Sequence, residues 1–283
     1  MAKKTRAKKP NSPFVTDAMG EMSESSSPSR QKIFTNETHF PLEGEYFFCE
    51  KKVSDVLIFF VHFYGGNKKA LQRHVKFINR IGFDAFAFNA KDQIKSFRDL
   101  PFTAHGSFGL KHAVADQIED QLNRLPGQKV IFSFSNPTAA AIESMVRRNC
   151  HDVVGLIADS GPSGHYLRSA MNLFHQEKSF GFLPLRIALA PFLSMFWSPS
   201  LHLDIHKDLE KLPENFPVLT IQCGQDQLIP PDHIDEVFAR HHQLNWQKLI
   251  LPKAEHLTGL RDFATDYEPA VEKFLHQFTN STV

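Results

Sequence analysis

From about residue 55 onward, short runs of β-branched and aromatic residues alternate with stretches whose apolar positions recur at helical spacing. That alternation predicts an α/β fold, a mostly parallel sheet with helices on both faces. The β-rich runs are VLIFFVHF (56–63), FDAFAFN (83–89), KVIFSF (129–134), DVVGLIAD (152–159), PVLTIQC (217–223) and WQKLIL (246–251). VLIFFVHF shows no in-out alternation, as expected of a strand buried on both sides. Between the runs, Leu71, Val75, Phe77 and Ile78 mark one helix, and a second is expected from about Leu110 to Leu125, closed by Pro126-Gly127. A last helix is expected over 259–278, and KIFTNETHF with EYFFCEKK reads as an antiparallel start to the sheet. With 283 residues and 42% hydrophobic content, one large core is within reach of this chain.

The rhythm stops after Asp159 and resumes only at Pro217. So long a gap is an inserted helical cap, at about 161–215, rather than a plain loop. Within it SFGFLPLRIALAPFLSMFW (179–197) is strongly apolar, but Arg186, Pro184 and Pro191 argue against a membrane span. Two uses are open for this segment. It is either a short buried helix pair or an apolar lid, in which Phe182, Phe192, Phe196 and Trp197 would hold an acyl chain or rest peripherally on a lipid surface.

Charge excludes little and locates one feature. Lys plus Arg number 32 against 31 Asp plus Glu, so no global field marks nucleic acid as the main partner. MAKKTRAKK nevertheless opens the chain with five cations and no acid, and the serine-rich residues that follow lack apolar content, so residues 1–30 are expected to be a disordered tail ahead of a domain over 31–283. A targeting address, an RNA or membrane arm and a solubilising end all fit; the last is the commonest use. No apolar run follows the cations as a secretory signal requires, which points to a cytoplasmic chain. Cys49, Cys150 and Cys223 are few, far apart and set in apolar context, as buried reduced thiols are. No metal-ligand spacing, G-x-G-x-x-G or phosphate-cradling glycine loop occurs, so neither metal nor cofactor is expected. Oligomeric state leaves no mark in the sequence.

The chemistry gathers where expected strands end. In KVIFSFSNPTAAAIE the strand breaks at Ser135-Asn136-Pro137 and an alanine-rich helix follows. A tight strand-to-helix turn presents a serine to a substrate, and its usual form is G-x-S-x-G; here Ser133 and Pro137 stand at the glycine positions. Capping the helix is the plainer use of Ser135 or Asn136. Further on, Asp226 follows the strand ending at Cys223, and His256 follows the strand ending at Leu251. The chain order Ser, acid, His along one sheet edge is that of a serine hydrolase. Asp159 also ends a strand and competes with Asp226 as the acid, though its Gly-Pro-Ser turn suits a local backbone role. Ser160 lies where glycine and proline break the chain, and His105-Gly106-Ser107-Phe108-Gly109 lies deep in a loop.

Together GQDQLIP, AEHL, VHFYGGN and TAHGSFG resemble segments of the α/β-hydrolase superfamily, from about residue 40 to the C-terminus. FSFSN, GLIADSGPSG and HLTGLRDFATDY are similar, more weakly, to the branch of transmembrane-protein-53-like proteins. The superfamily resemblance implies a Ser135–His256–Asp226 triad cleaving an acyl ester or thioester, with an oxyanion hole from the N–H groups of Tyr64 and Asn136. Phe63 replaces the first glycine of the oxyanion segment. A silent hydrolase-fold protein that binds a ligand or partner is the alternative.

Overall fold

The computed structural model describes residues 29–33, 44–94, 103, 106–176, 182–200 and 202–279. The expected tail lies outside these residues, except that Ser29 and Arg30 open the first strand.

Eight strands form one sheet: β1 (Ser29–Ile33), β2 (Gly44–Phe48), β3 (Leu57–Val61), β4 (Ala85–Phe88), β5 (Lys129–Phe134), β6 (Val153–Asp159), β7 (Pro217–Cys223) and β8 (Asn245–Leu251). Their order is β1-β2-β4-β3-β5-β6-β7-β8. β2 runs antiparallel to both neighbours, and every other pairing is parallel. From β3 the chain first steps to β4 on one side and then returns to β5 on the other. The carboxyl ends of β3 and β5 therefore flank the point where strand order reverses, the usual crevice for a ligand in open α/β sheets.

Two cores sandwich the sheet, because alternate residues of each central strand point to opposite faces. Phe59, Ile131, Leu156 and Val218 meet α2 (Leu110–Arg124), α3 (Thr138–Arg147) and α7 (Pro231–Phe238). Ile58, Phe60, Phe132 and Leu219 meet α1 (Gln72–Arg80) and α9 (Ala264–His276). Ala139, Ala140 and Ala141 are completely or almost completely buried, so α3 lies close against the strands.

Between β6 and β7 the chain forms α4 (Tyr166–Gln176), α5 (Leu183–Trp197) and α6 (Ile205–Leu209), the inserted helical region. α5 continues through Pro191 instead of splitting into a pair. Pro184 falls in its first turn, where the missing N–H has no intrahelical partner to lose, and Pro191 removes only one internal bond. At the C-terminus the expected single helix is broken: α8 (Gly259–Asp262) ends at Phe263, whose φ of −132° and ψ of 38° are not helical. All three cysteines are free, but only Cys223 is buried.

Candidate active site

Three loops bring the sequence-derived candidates to the carboxyl edge of the sheet. Ser135 follows β5 with φ 59°, a left-handed conformation that serine adopts only when the surroundings enforce it. Its N–H donates to the carbonyl of Asp159 at 2.8 Å, which ties the turn to the end of β6. Ser133 donates its hydroxyl to Thr138 Oγ1 at 3.0 Å, so the side chain that stands in for a glycine is satisfied inside the α3 junction. The next turn supplies the space: at Gly161 a Cβ would lie 2.5 Å from the carbonyl carbon and oxygen of Ser135.

Asp226 folds back on its own loop. Its Oδ1 accepts the N–H groups of Leu228 and Ile229, both at 2.8 Å, and its Oδ2 lies 2.5 Å from His256 Nδ1. A carboxylate only accepts, so Nδ1 carries the proton and Nε2 keeps its lone pair. The Asp226 side chain is fully buried, whereas the His256 ring is 11% exposed. The acid is thereby fixed and the ring edge reaches the surface. No hydrogen bond from Ser135 Oγ to His256 occurs among the described contacts.

Asp159 is engaged elsewhere. Ser160 donates to its Oδ1 at 2.8 Å and Tyr267 to its Oδ2 at 2.6 Å. Burial pushes its carboxyl up to about 6, against the pull of those two hydrogen bonds.

Past β3, His62 accepts the Ala90 N–H at Nε2 (2.9 Å), so its Nδ1 is the donor to the Phe63 carbonyl (2.9 Å) and the ring is neutral. Gly65 N–H goes to Asp92 Oδ2 at 2.6 Å, and Gly66 N–H to the Phe63 carbonyl at 2.8 Å. Those bonds tie down the turn, yet among the described residues the N–H groups of Tyr64 and Asn136 have no protein acceptor.

By sequence, the chain matches no family model. No curated protein matches it either. By structure it matches an esterase from Pyrococcus furiosus at TM-score 0.64 and 16% identity, over 91% of this chain and 95% of that one. The chain has the α/β-hydrolase fold. A monoacylglycerol lipase from Paleococcus ferrophilus is also similar, at TM-score 0.60 and 15% identity, over 85% of this chain and 100% of that one. A bromoperoxidase from Bacillus anthracis matches at TM-score 0.57 and 15% identity, over 88% and 100%. Names that differ this much show that the α/β-hydrolase fold does not by itself select a reaction.

Relative to that fold, the cap residues have varied positions. Phe182 and Phe192 face solvent, 68% and 59% exposed. Phe196 packs edge-on against Phe108 and Phe192. Trp197 is buried: it donates Nε1–H to His202 Nε2 at 2.9 Å and meets the Tyr64 ring edge-on at 5.6 Å. The end of α5 thus touches the loop after β3, a link across 133 residues of sequence that no local pattern announces.

One further group of ligand-type side chains sits away from the α/β-hydrolase crevice. His112, Glu143 and Asp204 bring their ligand atoms within 4.8 Å of one another. A cation already fills the place: the fully buried Lys111 puts its ammonium 3.1 Å from Glu143 and 2.5 Å from Asp204. These residues clamp the inserted region to α2 and α3. His206 and His241 face each other at 3.1 Å between Nδ1 and Nε2, so at least one ring is neutral. Burial lowers both pKa values.

Proposed function

We propose that this chain is a serine hydrolase that cleaves an acyl ester or thioester with a hydrophobic acyl group. Ser135 is the nucleophile, His256 the general base and Asp226 the acid that orients it. The supporting observation is the Asp226–His256 bond of 2.5 Å on the sheet edge where Ser135 occupies its left-handed turn. On this reading Ser135 Oγ attacks the acyl carbon, its proton passes to His256 Nε2, and that proton then goes to the departing alcohol or thiol. Water repeats the sequence to release the acid. The N–H groups of Tyr64 and Asn136 receive the oxyanion, since neither has a protein acceptor among the described residues beside the reversal point.

A hydrophobic acyl group fits the inserted region, whose residues Phe182, Leu185, Phe192 and Met195 are exposed. The same face could meet a lipid surface peripherally; no described helix is long and apolar enough to cross a membrane.

One observation favours a second reading, in which the fold is kept for binding without turnover: Ser135 and His256 share no described hydrogen bond. Covalent labelling with a fluorophosphonate decides between them. Wild type should react, and Ser135→Ala should not; labelling retained in Ser135→Ala would displace Ser135 as nucleophile, and no labelling of wild type would favour the silent reading.

A further inference from the structure

Asp159 and Ser160 are neither nucleophile nor acid in the proposed mechanism, yet they touch both halves of the site. The Asp159 carbonyl accepts the Ser135 N–H at 2.8 Å. Its carboxylate takes the only proton of the Ser160 hydroxyl, which leaves that oxygen's lone pairs to accept. The donor it meets is the N–H of Leu257, at 3.3 Å, directly after His256. Ser160 N–H in turn donates to the Ile221 carbonyl at 2.8 Å, so the strut is anchored in the sheet.

Backbone geometry marks the same three points. Ser135, Ser160 and Leu257 have φ of 59°, 56° and 60°, and none is glycine. Each stays in that region only while its neighbours hold it. Ser160 and Asp159 are 0% and 1% exposed, so water does not replace the bonds they make.

We propose that Asp159 and Ser160 are positioning residues, a buried strut that spaces the His256 loop from the Ser135 turn. The inference rests on the reading of His256 as the base for Ser135. Around the Asp159 carboxylate stand Tyr267 of α9, His74 of α1 with Nε2 at 4.0 Å, and Cys223 of β7, whose Sγ lies 3.4 Å from Ser160 Oγ. Asp226 and His256 face the carboxylate from the loops beyond.

The test pairs kinetics with hydrogen exchange on the intact chain. Ser160→Ala should lower kcat by about ten- to a hundredfold, the scale of a small misplacement of reacting groups. KM should move by less than about threefold, because the bound ester does not meet the strut. Exchange of the Leu257 amide should quicken by roughly fivefold or more, the equivalent of one lost hydrogen bond. Asp159→Ala should reproduce both changes. Asp159→Asn, whose Oδ1 still accepts the Ser160 hydroxyl, should lose less. If Ser160→Ala folds poorly, Ser160→Gly removes the same hydroxyl in a residue that takes φ 56° without strain. Unchanged Leu257 exchange, or faster exchange with unchanged kcat, overturns the strut. Hydrolysis that survives Ser135→Ala overturns the base assignment instead, while the exchange arm still decides whether Ser160 holds the loop.

Discussion

A hydroxyl at position 133 fills the place of a hydrogen, and the structure compensates at position 161. Ser133 turns inward to Thr138, while Gly161 lets the turn after β6 lie on the backbone of Ser135. Gly161→Ala would force a Cβ to 2.5 Å from backbone atoms that cannot swing aside. We expect it to destabilise the fold by about 1–3 kcal/mol, as overpacking does, with a lower melting temperature as the readout. The two aspartates separate equally well. Asp226→Asn keeps the shape but leaves His256 without its anionic partner, so kcat should fall roughly a thousandfold near neutral pH. Asp159→Asn should cost far less; steady-state kinetics on both folded variants would reverse the roles if the order of losses were reversed. The Asp226–His256 contact was legible because each residue lies in the loop just beyond an expected strand, and parallel strands deliver such loops to one edge. Gly161 was not legible as part of the Ser135 turn, since its neighbour across the sheet is set by strand order.

At the level of elements, strands β3 to β7 could be read because burial on both faces leaves mostly apolar runs, and β8, half exposed at the sheet edge, could be read from its Trp, Leu and Ile residues. Less visible were the continuity of α5 through Pro191 and the break at Phe263, because both depend on what packs around them. The contact of α5 with the β3 loop through Trp197 and Tyr64 gives a direct prediction. Trp197→Phe retains an aromatic ring but leaves buried His202 Nε2 without its donor. The cost should be about 1–3 kcal/mol. Thermal unfolding would show it as a drop of roughly 2–4 °C per kcal/mol for a domain of this size. An unchanged transition would mean that another donor replaces Trp197.

Across the whole molecule, buried histidines set the response to acid. Burial pushes His74 and His202 down to about 3, with the cations Arg73 and Lys111 acting in the same direction. Below pH 6.5 these two side chains bind protons in the unfolded chain that they refuse in the fold, so their own contribution to stability falls as pH drops from 6.5 toward 3. Asp159 opposes this. Its folded value of about 6 exceeds the ordinary 3.8, so its own contribution grows as pH falls through that window. Glu143 adds to the loss below pH 4.5: burial alone would raise its carboxyl, but His112, Lys111 and Arg147 outweigh it and hold it at about 2. Asp208, which burial also pushes up to about 6, acts with Asp159, so two aspartates offset the two histidines: the melting temperature should change little between pH 6 and 4 and fall below pH 4, where only the histidines and Glu143 still act. A steep fall between pH 6 and 4 would contradict it. Among the described residues, both buried ring nitrogens of His74 have no hydrogen-bond partner, and the ring lies among Phe132, Phe134 and Tyr267. His74→Phe should raise the melting temperature at pH 7, because an apolar ring has no polar atoms to strand there.

The root of the inserted region is closed on itself. Ser163 donates its N–H to Asn136 Oδ1 at 3.1 Å, Gly164 donates its N–H to the His233 carbonyl at 2.9 Å, and neutral His202 returns 39 residues later to the Ser163 carbonyl at 3.2 Å. Departure and return thus share one clasp, fastened to the Asn136 turn and to α7. A segment attached in that way is a cassette: exchange of residues 165 to 196 should replace α4 and most of α5 and spare Trp197, while the sheet edge below keeps its register. Diversification of this chain would then proceed by trading what lies beyond the clasp.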